Sequence, residues 1–395
     1  MPYGKLAEIR ESGPVVKLED PITGVPYWVV TRIAEMDAVS KNPKLFSSAA
    51  RSAFPMEYDQ DIVDNIHCHT IINMDPPQHQ KVRRIVRNAF TPKRVESYEP
   101  EFREHAKRIV DAVESKGACE FVEEVAAELP LIGILELLGV PLEDRKQFFD
   151  WTNTMIFTED EDMSGVDGAI ASQTAAIEVY AYAASLAEKH KTHKLTDIVG
   201  ALLDGSVNDE KLTPDEFQVF FLMLIAAGNE STRSVIAHCM RLLMENPDQL
   251  QKLVDDPSLV PFAVEEALRY NPAFVQMRRT VMQDIEIQGQ QLKAGDKMVL
   301  NWQAINHDPD VFANPETFDI ERFKRNPELT SQHRAFGNGE HFCIGAHMSR
   351  LEMQVMFEEL IPRLKNPKFA APVEFVRDYF VNSIKSMHIT FDPET

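Results

Sequence analysis

Thr213, Pro214, Asp215 and Glu216 mark the start of a helix more sharply than any other point in this chain, because they form a capping box with proline at the first helical position. The helix runs on to about Glu245, where Asn246-Pro247 stops it. At about 1.5 Å per residue it is roughly 45 to 50 Å long, and Phe, Leu, Met and Ile dominate it. A helix that long and apolar has to cross the core. With 395 residues and 44% hydrophobic content the chain has the material for such a core.

No internal repeat and no Gly/Ser-rich linker divides the sequence, so one domain over residues 1–395 is expected. Helical periodicity dominates from about Gln78 to Arg269, while Asp284-Ile285-Glu286-Ile287 and Lys297-Met298-Val299-Leu300 alternate as short strands do. The expected class is mainly α with small β-sheets. A formal charge of −21 argues against a general binder of nucleic acid or anionic membranes. Cys68, Cys119, Cys239 and Cys343 show no CxxC spacing, which fits a reducing compartment and argues against a disulfide framework or zinc ribbon. The first twenty residues lack the apolar segment of a signal peptide or anchor, and the longest apolar run, Phe217 to Ala227, is too short to span a bilayer. A soluble, cytoplasmic protein is expected.

Within the long helix, Ala227-Gly228-Asn229-Glu230-Ser231-Thr232 interrupts the apolar run with a glycine, an acid and two hydroxyls. Glycine and back-bonding hydroxyls bend a helix and open a groove for a small ligand. An acid beside an alcohol is also a proton-delivery pair. The same residues equally suit a kinked buried helix whose polar groups are satisfied by neighbours.

Cys343 sits in Phe336-Gly337-Asn338-Gly339-Glu340-His341-Phe342-Cys343-Ile344-Gly345, whose glycines let the backbone turn tightly and lie against something flat. Ile344, Met348, Leu351 and Val355 recur at helical spacing, which puts Cys343 at a helix N-terminus where the dipole favours a thiolate. From the residues alone it is a metal ligand, a nucleophile or an inert thiol.

Elsewhere, Glu266 and Arg269 have the spacing of an ion pair on one helix face, and His79 and Arg83 share a face of a helix opened by Asp75-Pro76-Pro77, a pairing that suits an anion. Residues 157–168, with Glu159, Asp160, Glu161, Asp162 and Asp167, read as an acidic loop, either a solvated connector or a lid. His67-Cys68-His69 lacks a recognised ligand spacing and reads as a plain loop.

The loop around Cys343 resembles the haem-binding loop of the cytochrome P450 family at Phe336, Gly339, His341, Cys343 and Gly345. The resemblance continues through Ala227 to Thr232, Glu266-x-x-Arg269 with Arg322, and Asp75 to Arg84, in the family's order. It implies that fold, with haem b between a long distal helix and the proximal helix after the Cys loop. Cys343 is then the axial thiolate, a ligand that favours O–O cleavage, and Phe336 belongs to its loop. His79, Arg83, Arg279 and His341 become propionate partners, and Glu266, Arg269 and Arg322 a buried structural triad.

Glu230 and Ser231 are implied as the proton relay, with serine where threonine is usual, so the hydroxyl is kept and the methyl that restricts χ1 is lost. Met223, Ala226, Ala227, Phe274, Val275, Phe380 and Val381 are implied to line the substrate pocket. The resemblance implies a monomeric monooxygenase that hydroxylates an unactivated C–H bond of a hydrophobic terpenoid, steroid or fatty acyl compound. It uses O2 and electrons from a ferredoxin and its reductase, docked over Arg83, Arg84, Arg87, Arg334 and Arg350. The alternatives are a peroxide-driven peroxygenase, another oxidation of the family, or a haem-based sensor without turnover.

Overall fold

The computed structural model describes residues 3–21, 23–158, 160, 165, 167–195, 198–206 and 211–393. Eight helices position the site: α1 (Gln78–Val86), α2 (Glu99–Glu114), α3 (Glu128–Leu137), α4 (Arg145–Ile156), α5 (Gly168–Thr192), α6 (Pro214–Glu245), α7 (Val260–Tyr270) and α8 (Ala346–Arg363). The predicted capping box is present on α6. Thr213 Oγ1 accepts from the Glu216 N–H at 3.2 Å, and Glu216 Oε2 accepts from the Thr213 N–H at 2.8 Å.

Helix α6 packs against α3, α4, α5, α7 and α8, and α8 in turn packs on α2. By length and composition α6 is also apolar enough to cross a membrane, but 67% of its most apolar window is buried inside the protein, as befits a core helix. It is helical without interruption from Pro214 to Glu245, so Gly228 does not break it. A Cβ there would lie 3.1 Å from Ile134 Cδ1, which makes the glycine a point of close approach for α3.

A five-stranded mixed sheet forms from β1 (Val15–Glu19), β2 (Pro26–Val30), β3 (Phe46–Ser47), β4 (Gln276–Val281) and β5 (Lys297–Asn301), in the order β1-β2-β5-β4-β3. Strand β5 pairs parallel to β2 and antiparallel to β4. The half-exposed alternation expected at Lys297 to Leu300 does not hold, because this central strand is covered on both faces and Met298, Val299 and Leu300 are all buried. Around the sheet, Val30, Met36, Phe46, Leu300, Phe312 and Phe323 form a core distinct from the larger one among the helices. Ile285–Ile287 forms a hairpin with Gln290–Leu292, as its alternation predicts.

Candidate functional site

The loop before α8 folds back on itself, with the Cys343 N–H donating to the Phe336 carbonyl at 2.8 Å. Gly337 and Gly339 have φ of 73° and 68°, and a Cβ on Gly339 would stand 2.6 Å from the Ser40 carbonyl oxygen, so glycine is required there on both counts. Gly345 adopts φ −85° as the N-cap of α8, a conformation open to other residues. The predicted placement of Cys343 at a helix N-terminus therefore holds.

Cys343 presents exposed surface, yet burial pushes its thiol pKa up. These two observations agree if the opening faces an internal space walled by protein. Amide N–H groups of Gly345 and Ala346 and the cations Arg83 and Arg350 act in the opposite sense and favour the thiolate.

Next to this loop, several buried polar groups stand without partners. Arg279, Met277, Trp302, Gly337, Asn338 and His341 line a cavity of about 60 Å³. His79 Nδ1 and the Trp302 indole N–H are buried and have no hydrogen-bond partner, and the nearest carboxylate oxygen to His79, on Glu340, is 3.9 Å away. The His79 and His341 rings lie 4.2 Å apart, and His341 Nε2 is 3.3 Å from Ser48 Oγ. Burial first, then the neighbouring arginine cations, pushes His79 down to about 4 and His341 to about 2. Arg279 is lowered to about 10, mainly by burial. Arg83 reaches the Phe342 carbonyl at 2.5 Å. The buried Arg279, with Arg83 and the unpartnered Trp302 N–H, suits a ligand bearing carboxylates.

On α6, Met223, Ala227 and Ser231 follow one another at four-residue spacing, each exposed or half-buried in the middle of a core helix. Ser231 Oγ donates to the Ala227 carbonyl at 2.6 Å. Glu230 is not bonded to Ser231. Its carboxylate accepts from Ser234 Oγ at 3.0 Å and from Ser383 Oγ, and it pairs with Arg233, whose guanidinium lies 5.3 Å from the Phe157 ring and 2.9 Å from Asn153 Oδ1. Burial raises the Glu230 pKa, opposed by Arg233 and the two serines.

The far ends of the chain complete the apolar wall. Val275 N–H donates to the Phe380 carbonyl at 2.8 Å, and Phe274 bridges Val381, which brings two segments predicted for one pocket together. The Phe274 and Phe380 rings are 5.0 Å apart, and Phe54 stacks edge-on against Phe380 at 5.5 Å. Val381 is buried with Phe157 and Val376, and Phe274 and Phe380 pack against that group.

A family model, Cytochrome P450, matches residues 143–366. The chain is 34% identical to the steroid C26-monooxygenase of Mycolicibacterium smegmatis over 400 residues, which is 99% of this chain and 91% of that one. The methyl-branched lipid omega-hydroxylase of Mycobacterium tuberculosis is also 34% identical over 402 residues, 98% of this chain and 90% of its own. The solved structure of a Mycobacterium marinum cytochrome P450 in complex with pseudoionone superimposes with a TM-score of 0.89 at 30% identity, covering 98% of this chain and 94% of that chain. The chain belongs to the cytochrome P450 family.

This P450 is thus an oxidoreductase of the monooxygenase type, and haem b is its cofactor. The residues fit that group, because an exposed thiol suits an iron, and the buried Arg279 and the unpartnered Trp302 N–H beside its loop suit carboxylates. Several parts of the site were missed from the sequence. Trp302 carries no signal beyond that of a core aromatic. The aromatic group of Phe54, Tyr58 and His67, with the last two rings 4.4 Å apart, depends on contacts made only after folding. Behind the site, Thr232 Oγ1 donates to Ser349 Oγ at 3.0 Å and also bonds Glu352, whose fully buried carboxyl is pushed well above the usual range by burial.

The P450 triad is as expected. Arg269 forks onto Glu266 with two bonds of 2.8 Å, and Arg322 Nε reaches the same carboxylate at 3.1 Å. Arg269 also donates to the Asn306 carbonyl at 3.0 Å, and Asn306 Oδ1 accepts from the Arg334 N–H at 2.6 Å, which links the triad to the Cys343 loop.

Two other expectations change. Arg334 is buried in a fork to Asp37, and Arg350 is bound to Glu265, so neither offers a free cation to a docking partner. In the acidic loop, Asp160 is buried and pairs with Lys385 at 2.9 Å, which makes it an anchor to the strand Ile384–Ser386 rather than a solvated charge. Glu159, Glu161 and Asp162 lie outside the described residues.

Proposed function

We propose that this P450 inserts one atom of O2 into an unactivated C–H bond of a hydrophobic small molecule of steroid, terpenoid or fatty acyl type. A ferredoxin and its reductase supply the electrons. The observation that carries this reading is the exposed Cys343 thiol just before α8, where two amides and two cations oppose the upward push of burial on its pKa. Similarity to a steroid C26-monooxygenase and a methyl-branched lipid omega-hydroxylase supports the substrate class.

Bound haem b supplies oxygen activation and C–H oxidation. Cys343 would hold its iron, with Phe336 behind the loop, and His79, Arg83, Arg279, His341 and Trp302 would hold its propionates. Met223, Ala226, Ala227, Phe54, Phe274, Val275 and Phe380 would orient an apolar substrate and exclude water. Ser231 would hold a proton at Oγ. Its bond to the Ala227 carbonyl is exchangeable by rotation about χ1, which the missing methyl makes easier. Glu230 would deliver protons from the opposite side once its carboxylate leaves Arg233.

Incubation of the holoenzyme with O2, reduced ferredoxin and a panel of steroids and branched lipids is expected to yield hydroxylated product. Haem reduction with no product from any compound would favour the sensor reading, and equal turnover with hydrogen peroxide alone the peroxygenase. In Ser231→Ala, product per electron is expected to fall by up to about 10²-fold, the lower range for a positioned acid–base group, with hydrogen peroxide released instead. Unchanged yield and unchanged peroxide would remove Ser231 from the relay.

Arg84 and Arg87 are exposed and remain as the steering cations for an acidic donor. Arg84→Glu with Arg87→Glu is expected to slow reduction by ferredoxin at low salt and to change it little at high salt. Equal rates at low salt would move the docking face elsewhere.

A further inference from the structure

Glu265 and Glu266 are adjacent on α7, yet their carboxylates do different work. Glu266 binds the two arginines of the triad, while Glu265 turns toward the Cys343 loop. Glu265 Oε1 accepts from Arg350 Nε at 2.5 Å, and Oε2 accepts from Arg350 Nη2 at 3.0 Å and from His333 Nε2 at 2.8 Å. The Arg350 guanidinium also lies 4.5 Å from the centroid of the Phe336 ring. Phe336 is the residue whose carbonyl receives the Cys343 N–H.

We propose that Glu265 and Arg350 are positioning residues that set the reduction potential of the iron held by Cys343. Arg350 brings a fixed cation to the protein side of the sulfur, and Glu265 offsets part of that charge while locking the guanidinium onto Phe336.

Four observations carry this. The Arg350 fork is two-pronged and only 26% of its side chain is exposed, so its charge is fixed in place and poorly screened by solvent. Arg350 stands over the ring of Phe336, whose carbonyl closes the Cys343 turn, and it is held there by a carboxylate, whereas the neighbouring Arg83 donates to the Phe342 carbonyl. Glu265 is almost fully buried, and Arg350 and His333 hold its carboxyl at about 2, against the opposing effect of burial, so it is an anion at every working pH. Finally, the pair sits on two helices, α7 and α8, that are rigidly packed together, so its geometry is held by the core.

The sign follows from electrostatics. Reduction adds one negative charge at the iron, so a nearby cation raises the potential and a nearby anion lowers it. The proposal rests on Cys343 as the iron ligand, and the unmutated protein tests that separately through its ferrous carbon monoxide spectrum.

The experiment is spectroelectrochemical titration of holoenzyme variants without substrate or redox partner. Glu265→Gln leaves Arg350 unopposed, and its midpoint potential is expected to shift positive. Arg350→Gln is expected to shift it negative. Arg350→Lys keeps the cation but loses the fork, and should stay closer to wild type than Arg350→Gln. A purely structural role would move the two glutamine variants in the same direction, through a loosened loop and loss of the thiolate-type spectrum. Shifts of one sign in both, or none in either, would overturn the proposal. If Glu265→Gln does not fold, the arginine arm decides: equal potentials in Arg350→Lys and Arg350→Gln would overturn it, and a negative shift confined to Arg350→Gln would sustain it.

Discussion

Cys343→Ser is expected to abolish both the thiolate-type ferrous carbon monoxide spectrum and product formation, while the fold survives. A serine hydroxyl at this site stays protonated and cannot donate electron density as a soft thiolate does. The loop does not depend on the sulfur for its shape, because its closing bond runs from the Cys343 backbone N–H to the Phe336 carbonyl and the side chain faces open space. The change should therefore cost no more than about 0.5 kcal/mol, as for a substitution away from packed contacts. Urea unfolding of the haem-free proteins checks this half, and carbon monoxide difference spectra the other. A thiolate-type spectrum in Cys343→Ser would mean that another cysteine holds the iron. Of the three remaining thiols, burial pushes Cys119 up to about 12 and Cys239 higher still, and burial with Asp64 also raises Cys68.

Arg269→Ala should show the second large effect, on stability. Glu266 and Arg269 are completely buried and Arg322 nearly so, and the guanidinium of Arg269 also satisfies the Asn306 and Pro315 carbonyls at 3.0 Å each. Removing one partner of a buried pair leaves the other charge undercompensated, at a cost of about 3 to 5 kcal/mol. That is a large share of the roughly 5 to 15 kcal/mol that holds a typical domain together. The expected outcome is little soluble holoenzyme, and a lowered urea midpoint for whatever accumulates. Arg103→Ala is the control. Its pairs with Glu99 and Glu358 lie at the surface, with 39% of the Arg103 side chain exposed, and such pairs contribute about 0 to 1 kcal/mol. A loss for Arg269→Ala no greater than for Arg103→Ala would show that the triad is not structural.

The features that could be read from the sequence are those whose causes lie within a few residues of chain. The capping box of α6, the stop at Asn246-Pro247, the hairpin strands and the helix after Cys343 all follow from local hydrogen bonding and periodicity. Gly339 belongs with them, because its positive φ is a property of the turn, although the Ser40 carbonyl that also excludes a side chain comes from elsewhere. Spacing alone drew attention to His79 with Arg83 and to Glu266 with Arg269. Their grouping into cofactor and triad sets came from the family resemblance, which carried information that no single stretch contains.

Where side chains from distant segments compete for the same partner, the linear order was silent. Arg334 and Arg350 look like surface cations in the sequence, yet Asp37 and Glu265 reach them from positions 297 and 85 residues away. Glu230 looks like the neighbour of Ser231, but successive helical residues point about 100° apart, and its carboxylate belongs to Arg233, Ser234 and Ser383. Gly228 reads only as a source of bending in the helix, and the close approach of Ile134 to it comes from another helix. By itself the sequence determined the long core helix, the thiol at a helix N-terminus and the donors able to meet an anion, since each depends on local backbone geometry. Only the tertiary structure decided which charges are locked and which aromatic rings meet, because those outcomes depend on packing between segments far apart in the chain.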